Sequence, residues 1–164
     1  MITLNLRKIK EHLHLSGVES EIQEETDQLC VILKLHEQEF PLFIRVYDDG
    51  ELLQLIAFFP YTIKESAFGD VARLLHLLNK EIDIPGFGMD ETTAVTFFRV
   101  MIPAENKKVG AKLFDAYLGS IQMVCQSFAP VVAGIGSGMM TFEEMLRKTK
   151  EHGGSLTKLQ MEPK

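Results

Sequence analysis

The sequence has little of what marks a secreted, membrane or redox-active protein. It contains two cysteines, Cys30 and Cys125, with no Cys-x-x-Cys motif and no framework of paired cysteines. Both lie in apolar patterns, which predicts buried thiols in a reducing compartment. No apolar run approaches the roughly 20 residues that a membrane span needs, and the N-terminus lacks the apolar stretch of a signal peptide. These absences predict a cytoplasmic protein without a membrane span.

Clustered positive charge is also scarce. The net charge is −6, and the basic clusters are short, at residues 7–10, 107–108 and 147–150, each with carboxylates nearby. Proteins that bind nucleic acids depend on grouped lysine and arginine to neutralise the phosphates. The charge pattern therefore argues against a nucleic-acid partner.

Residue patterns for catalysis or for cofactor binding are missing as well. The histidines are scattered, and no serine or cysteine stands in a nucleophile context. Residues 131–140 contain a Gly-x-Gly-x-Gly series, but Met139 stands where a dinucleotide-binding motif has its third glycine, and no Lys-Ser/Thr pair completes a phosphate loop. We therefore expect no enzymatic activity, no cofactor and no metal, and we interpret the glycines as a helix end and turn.

The patterns that are present indicate one α+β domain. Three strand-like segments joined by short turns favour an antiparallel meander, at residues 29–35, 40–47 and 51–59. The acidic stretch before them predicts a connector or an edge strand. With the helical patterns, the expected order is α-β-β-β-α-β-β-α-α around an antiparallel sheet of about five strands. We expect a single domain over residues 1–152 and a mobile tail over 153–164.

Helix boundaries are indicated by local signals. Two capping boxes, Thr62–Glu65 and Thr141–Glu144, predict the starts of helices, because each threonine can accept from the amide three residues on. Between them, apolar spacing over residues 109–132 predicts the longest helix. Pro130 falls inside this pattern and should kink the helix or end it near Phe128.

Two predicted strands are apolar on both faces. In residues 51–59 and 93–102 both alternating sets are apolar, so both faces of the sheet should be covered. The chain's own helices cover one face, and a further helix, a second subunit or a bound partner covers the other. Alternation does not decide which face is free. Arg99 is expected at an edge or with its charged end in water, and Gly86 and Gly88 indicate a bulge or a close backbone approach.

The order of elements and several residues resemble the YbjN family of small bacterial domains, which has the fold of type III secretion chaperones. The resemblance covers about residues 29–147. Its segments are LLHLLNKEI, PGFGMDE, TFFRVMIP, the long helix with Pro130, and GMMTFEEML. Within them the matching positions are Asn79, Gly86, Gly88, Gly138, Glu143 and Glu144.

This resemblance implies a non-enzymatic module, usually dimeric, that holds a segment of a client protein on apolar sheet surface. The eight methionines, which supply adaptable surface, and the acidic charge agree with it. From alternation, the residues expected to bind the partner are Leu52, Ile56, Phe58, Phe98 and Val100. The alternative is a regulatory or sensor domain that binds a small ligand or a signalling partner.

Overall fold

A six-stranded antiparallel sheet lies at the centre of the protein in the computed structural model, which describes residues 1–154. The helices and strands in chain order are β1 Ile2–Thr3, α1 Leu6–Leu15, β2 Glu21–Gln23, β3 Gln28–Leu35, β4 Gln38–Tyr47, β5 Leu52–Phe58, α2 Phe68–Glu81, β6 Phe87–Asp90, β7 Val95–Pro103, β8 Lys108–Val109, α3 Ala111–Gly136 and α4 Phe142–Glu151. From residue 155 onward, the predicted mobile tail lies outside the described residues.

The strand order in the sheet is β2-β3-β4-β5-β7-β6, and β1 pairs with β8 in a separate ribbon. The predicted antiparallel meander of β3, β4 and β5 is confirmed. The sheet has six strands and not about five, because part of the acidic stretch forms the short edge strand β2. The acidic stretch of residues 18–28 carries five carboxylates and few apolar residues, so the sequence gives little indication of a strand there.

The helices pack on one face of the sheet and close a single hydrophobic core. Helix α3 contacts β3, β5 and β7, while α1 contacts β3 and α2 contacts α3 and β6. The strand residues on this face are almost fully buried: Leu29, Val31, Leu33, Leu35, Phe40, Leu42, Ile44, Leu53, Leu55, Ala57, Phe98, Val100 and Ile102. Burial of this many apolar side chains on one side is the main stabilising contribution.

One of the two predicted capping boxes forms. In α4 the Thr141 hydroxyl accepts from the Glu144 amide at 3.1 Å, and the Glu144 carboxylate accepts from the Thr141 amide at 2.8 Å. The start predicted at Thr62 is wrong, since α2 begins at Phe68 after a 3₁₀ turn. There the amide of Lys64 donates to the carbonyl of Gly136 at 2.9 Å, so a tertiary contact holds this segment extended.

Helix α3 continues through Pro130, so of the two expected outcomes, a kink or an end near Phe128, the end does not occur. Proline has no N–H, so the carbonyl four residues earlier, on Gln126, loses its helical donor. In the structure Nε2 of His36 lies 2.8 Å from that carbonyl oxygen. Since a carbonyl only accepts, the imidazole donates, and the turn between β3 and β4 replaces the missing helical hydrogen bond.

Helix α3 also bears on the expectation that the chain has no apolar run close to the length of a membrane span. By length and composition, α3 is long and apolar enough to cross a membrane. Scattered polar residues such as Ser120 and Gln122 interrupt its runs of apolar residues without making it polar on average. A buried core helix has the same character, and 44% of its most apolar window is buried inside the protein.

Candidate functional site

The face of the sheet opposite the helices carries a continuous set of apolar and basic side chains. We call it the open face, and its central residues are Phe43, Arg45, Ile56, Phe58, Phe97, Arg99 and Met101. Each is half-buried or exposed, while its neighbours along the strand point into the core. Within residues 1–154, no helix lies over this face. The expected cover for the second face is therefore not supplied by the described part of the chain.

Strand register assembles the open face from β4, β5 and β7. Phe43 lies opposite Ile56, and Ile56 lies opposite Arg99. One step along, Arg45 lies opposite Gln54, which lies opposite Met101. Side chains directly opposite each other in antiparallel strands lie in contact, so these rows form one surface.

Three of the five residues predicted to bind a partner lie on this face. Leu52, Ile56 and Phe58 are half-buried on the open face. Phe98 and Val100 are not there, because they lie in the core with exposed fractions of 1% and 5%. Their partners across the strands, Ala57 and Leu55, are themselves core residues.

The placement of Phe98 and Val100 was wrong by one residue of register. Because strand side chains alternate, a shift by one position moves every residue of β7 to the opposite face. The residues of β7 that lie on the open face are Phe97, Arg99 and Met101. Arg99 itself was the available signal, since a charged residue in an otherwise apolar strand marks the solvated face and fixes the alternation around it.

Three phenylalanines form an aromatic cluster on the open face. The ring centroids of Phe43 and Phe58 are 5.9 Å apart, and those of Phe58 and Phe97 are 6.0 Å apart. The ring of Phe97 lies against Gly88 of the neighbouring strand, where a Cβ would overlap it. Such edge and tilted contacts stabilise the rings beside one another, and they explain why the rings are only half-exposed on a surface without a covering helix.

Glycine is also required at the start of β6. A Cβ on Gly86 would overlap the backbone carbonyl of Arg99, so the two strands can approach only because that position has no side chain. The expectation of a close backbone approach is confirmed at Gly86, whereas at Gly88 the close neighbour is the side chain of Phe97. Asn79 of α2 holds the same segment, with Oδ1 accepting from the amides of Gly86 and Phe87 at 3.0 and 2.9 Å.

Two arginines give the open face its charge. Nε of Arg45 donates to Oε1 of Gln28 at 2.8 Å, and the guanidinium carbon of Arg99 lies 5.5 Å from the centroid of the Phe97 ring. Among residues 1–154, no carboxylate lies within ion-pair distance of either arginine. The carboxylates of this face lie at its margins, on Glu21, Glu39 and Asp90.

A cavity of about 490 Å³ adjoins the open face where β6 begins. We call it the edge cavity, and its lining includes Ile84, Pro85, Arg99, Met101 and Tyr117. The chain enters the sheet only at Phe87, opposite Phe98, so the space between α3 and the end of β7 stays open. The surface that lines the edge cavity is slightly more polar than apolar, and the Arg99 side chain is its charged member.

The thiols do not have the character of nucleophiles. Burial, assisted by the charge of Glu21, raises the pKa of Cys30, and burial raises the pKa of Cys125 to about 12. Both groups are therefore neutral at physiological pH, when a nucleophile or metal ligand would need to be a thiolate. Within the described residues, no group of three or more His, Cys, Asp or Glu side chains is placed to hold a metal ion.

Solved structures with the same fold support this description. The chain is similar to the crystal structure of YbjN from E. coli, with a TM-score of 0.59 and 13% identity over 78% of this chain and 93% of that one. It is also similar to a chain in the crystal structure of the ExsC–ExsE complex, with a TM-score of 0.53 and 20% identity over 79% and 98%. The predicted α+β fold is thereby confirmed. None of the curated proteins compared matches the chain.

A family model gives the more specific assignment. The model of YbjN, described as "Putative bacterial sensory transduction regulator", matches residues 5–133. That span includes every strand of the open face, the segment held by Asn79, and most of α3. The chain therefore belongs to the YbjN family.

Proposed function

We propose that this protein is a non-enzymatic, cytoplasmic module that binds a segment of another protein on its open face. The observation that carries the proposal is the aromatic cluster of Phe43, Phe58 and Phe97, which lies at the centre of a sheet face without a covering layer among residues 1–154. A contiguous apolar surface on a folded domain marks an interaction site. The similarity to a structure of the ExsC–ExsE complex supports a protein partner.

We further propose that the domain of residues 1–152 functions as a homodimer. A second copy could cover the open face or leave it free for a client. Sedimentation equilibrium of the wild-type protein and of a Phe58→Asp variant separates these two arrangements, because only a dimer that buries the open face dissociates on substitution.

The test of client binding is affinity capture from host lysate with variants that differ in one position. Phe58→Asp and Ile56→Asp place a charge in the open face, while Leu15→Asp places the same charge at an apolar side chain that is 86% exposed on α1. We expect one stoichiometric partner with the wild type and with Leu15→Asp, and its loss with the other two variants. Equal capture by all four proteins would show that the partner does not bind the open face.

A second candidate function is a sensor domain with a small ligand in the edge cavity. Its volume of about 490 Å³ lies in the range of small-molecule sites, and its lining combines apolar side chains with one cation. Thermal stabilisation by a metabolite, lost when Ile84→Trp fills the cavity, would favour this function. Capture of a protein that Ile84→Trp leaves unchanged would favour the first.

A further inference from the structure

The open face presents two cations without acidic partners on a protein whose net charge is −6. Lys34, the other basic residue of this face, lies opposite Glu39 in the register and has a carboxylate beside it. Arg45 and Arg99 make no ion pair with residues 1–154. Arginine held on an apolar surface pairs well with carboxylates, because its planar group donates several hydrogen bonds and is weakly hydrated.

The two arginines have a defined separation. They lie on β4 and β7, two strand spacings apart, and their partners on β5, Gln54 and Ile56, are two residues apart. With strands spaced about 4.8 Å and a rise of about 3.3 Å per residue, their Cα atoms lie about 12 Å apart. Ile56 and Gln54 flank the line that joins the two arginines, and the ring of Phe43 lies beside Ile56.

This spacing matches one kind of peptide. In an extended segment, residues four positions apart point to the same side and span about 13 Å, and the residue midway between them points to that side as well. Two carboxylates four positions apart would reach Arg45 and Arg99. An apolar side chain between them would then contact Ile56 and Phe43, at the border of the aromatic cluster.

We propose that the open face binds an extended protein segment of the pattern acidic-x-apolar-x-acidic. This inference rests on the proposed function and specifies the chemistry of the client. Charge complementarity selects the acidic segment, since the two carboxylates would pair with two cations that have no acidic partner among residues 1–154, on a surface whose other central residues are apolar except for Gln54. A nucleic acid is a poorer match, because binding its phosphates needs more cations than this pair and the protein is acidic overall.

The test measures binding of short fluorescein-labelled peptides by fluorescence polarisation. Four peptides share one central phenylalanine and differ in the two flanking positions: aspartates at the proposed spacing, glutamines, lysines, and aspartates moved to adjacent positions. We expect the first to bind about tenfold more tightly than the glutamine peptide, and the lysine peptide more weakly still. The difference in affinity between the aspartate and glutamine peptides should decrease at high salt, because these charges are partly exposed.

Charge-reversed variants connect the preference to the two arginines. Arg45→Glu and Arg99→Glu should each lower the affinity for the acidic peptide about tenfold and raise the affinity for the lysine peptide. Arg7→Glu is the matched control, since Arg7 is exposed on α1, away from the sheet, and should change neither affinity. Circular dichroism confirms that each variant is folded.

The outcomes separate the inference from the function on which it rests. Equal binding of the aspartate and lysine peptides, or of the two aspartate spacings, overturns the inference. The inference is also overturned if Arg99→Glu leaves the affinity for the acidic peptide unchanged. If partner capture still depends on Phe58 in these cases, the proposed function stands with a client of different chemistry. If capture does not depend on Phe58, the proposed function itself fails.

Discussion

Removal of the His36 side chain should destabilise the protein only as long as residue 130 is proline. Nε2 of His36 donates to the carbonyl oxygen of Gln126 at 2.8 Å, at the position where Pro130 provides no amide. In a Pro130→Ala background, the new N–H lies four residues beyond Gln126 and can form the ordinary helical hydrogen bond. The two substitutions are therefore expected to be coupled.

The magnitude follows from one hydrogen bond. A typical hydrogen bond in a protein contributes about 1 kcal/mol net to the free energy of unfolding. His36→Ala should cost about that much in the wild type, because the carbonyl of a helix interior then has no protein donor. With alanine at position 130, the cost should fall below about 0.5 kcal/mol, which leaves a coupling of at least about 0.5 kcal/mol.

Urea denaturation of the four proteins of this double-mutant cycle measures the coupling. His14→Ala is the matched control, since His14 is exposed on α1 and its substitution should cost the same in both backgrounds. If His36→Ala costs the same with proline as with alanine at position 130, the replacement of the missing helical hydrogen bond by His36 is refuted.

Three further predictions follow from the described contacts. Asn79→Ala removes three hydrogen bonds to the backbone of residues 86 and 87 and should lower the free energy of unfolding, measured by urea denaturation, by about 2–3 kcal/mol. A loss below about 1 kcal/mol would contradict this role of Asn79. Phe98→Ala should lower the free energy of unfolding by about 3–5 kcal/mol, because it leaves a cavity in the core, and Phe97→Ala on the open face should lower it by about 1 kcal/mol. Equal losses would contradict the observed register of β7. Burial raises the pKa of the Cys125 thiol from 9.0 to about 12. Between these pH values the unfolded chain releases a proton that the folded protein retains. The free energy of unfolding should therefore fall as the pH rises from 9 to 12. Iodoacetamide should accordingly label Cys30 before Cys125, with mass spectrometry of the labelled peptides as the measurement.

The sequence predicted those parts of the fold that local chemistry determines. The meander of β3, β4 and β5 follows from alternation and short turns, and the capping box at Thr141 is formed by Thr141 and Glu144 themselves, within one helical turn. Thr62 has the same local pattern. Its segment is held extended by hydrogen bonds to Ala94 and Gly136, which are distant in sequence, so local propensity is overridden.

The same distinction applies to Pro130 and to the open face. The proline rule is correct about the lost hydrogen bond, but the donor that replaces it comes from a turn about 90 residues earlier in the chain. In β7 both alternating sets are apolar, so hydrophobicity alone could not orient the strand. Register with β5 decides the orientation, and only the position of Arg99 carried that information in the sequence.

The short length of β6 has a consequence for the exchange of backbone amides with solvent. The amide of Arg99 donates to Gly86, so Arg99 and, by alternation, Met101 point their backbone groups toward the side of β7 on which β6 lies. Strand β6 pairs only with Val95–Phe98, and within residues 1–154 Met101 has no strand partner on that side. Val100 and Ile102 point instead toward β5. In deuterated water the amide of Met101 should therefore exchange quickly between two slowly exchanging neighbours, and a bound segment that pairs with this edge would be detected as new protection at that single residue.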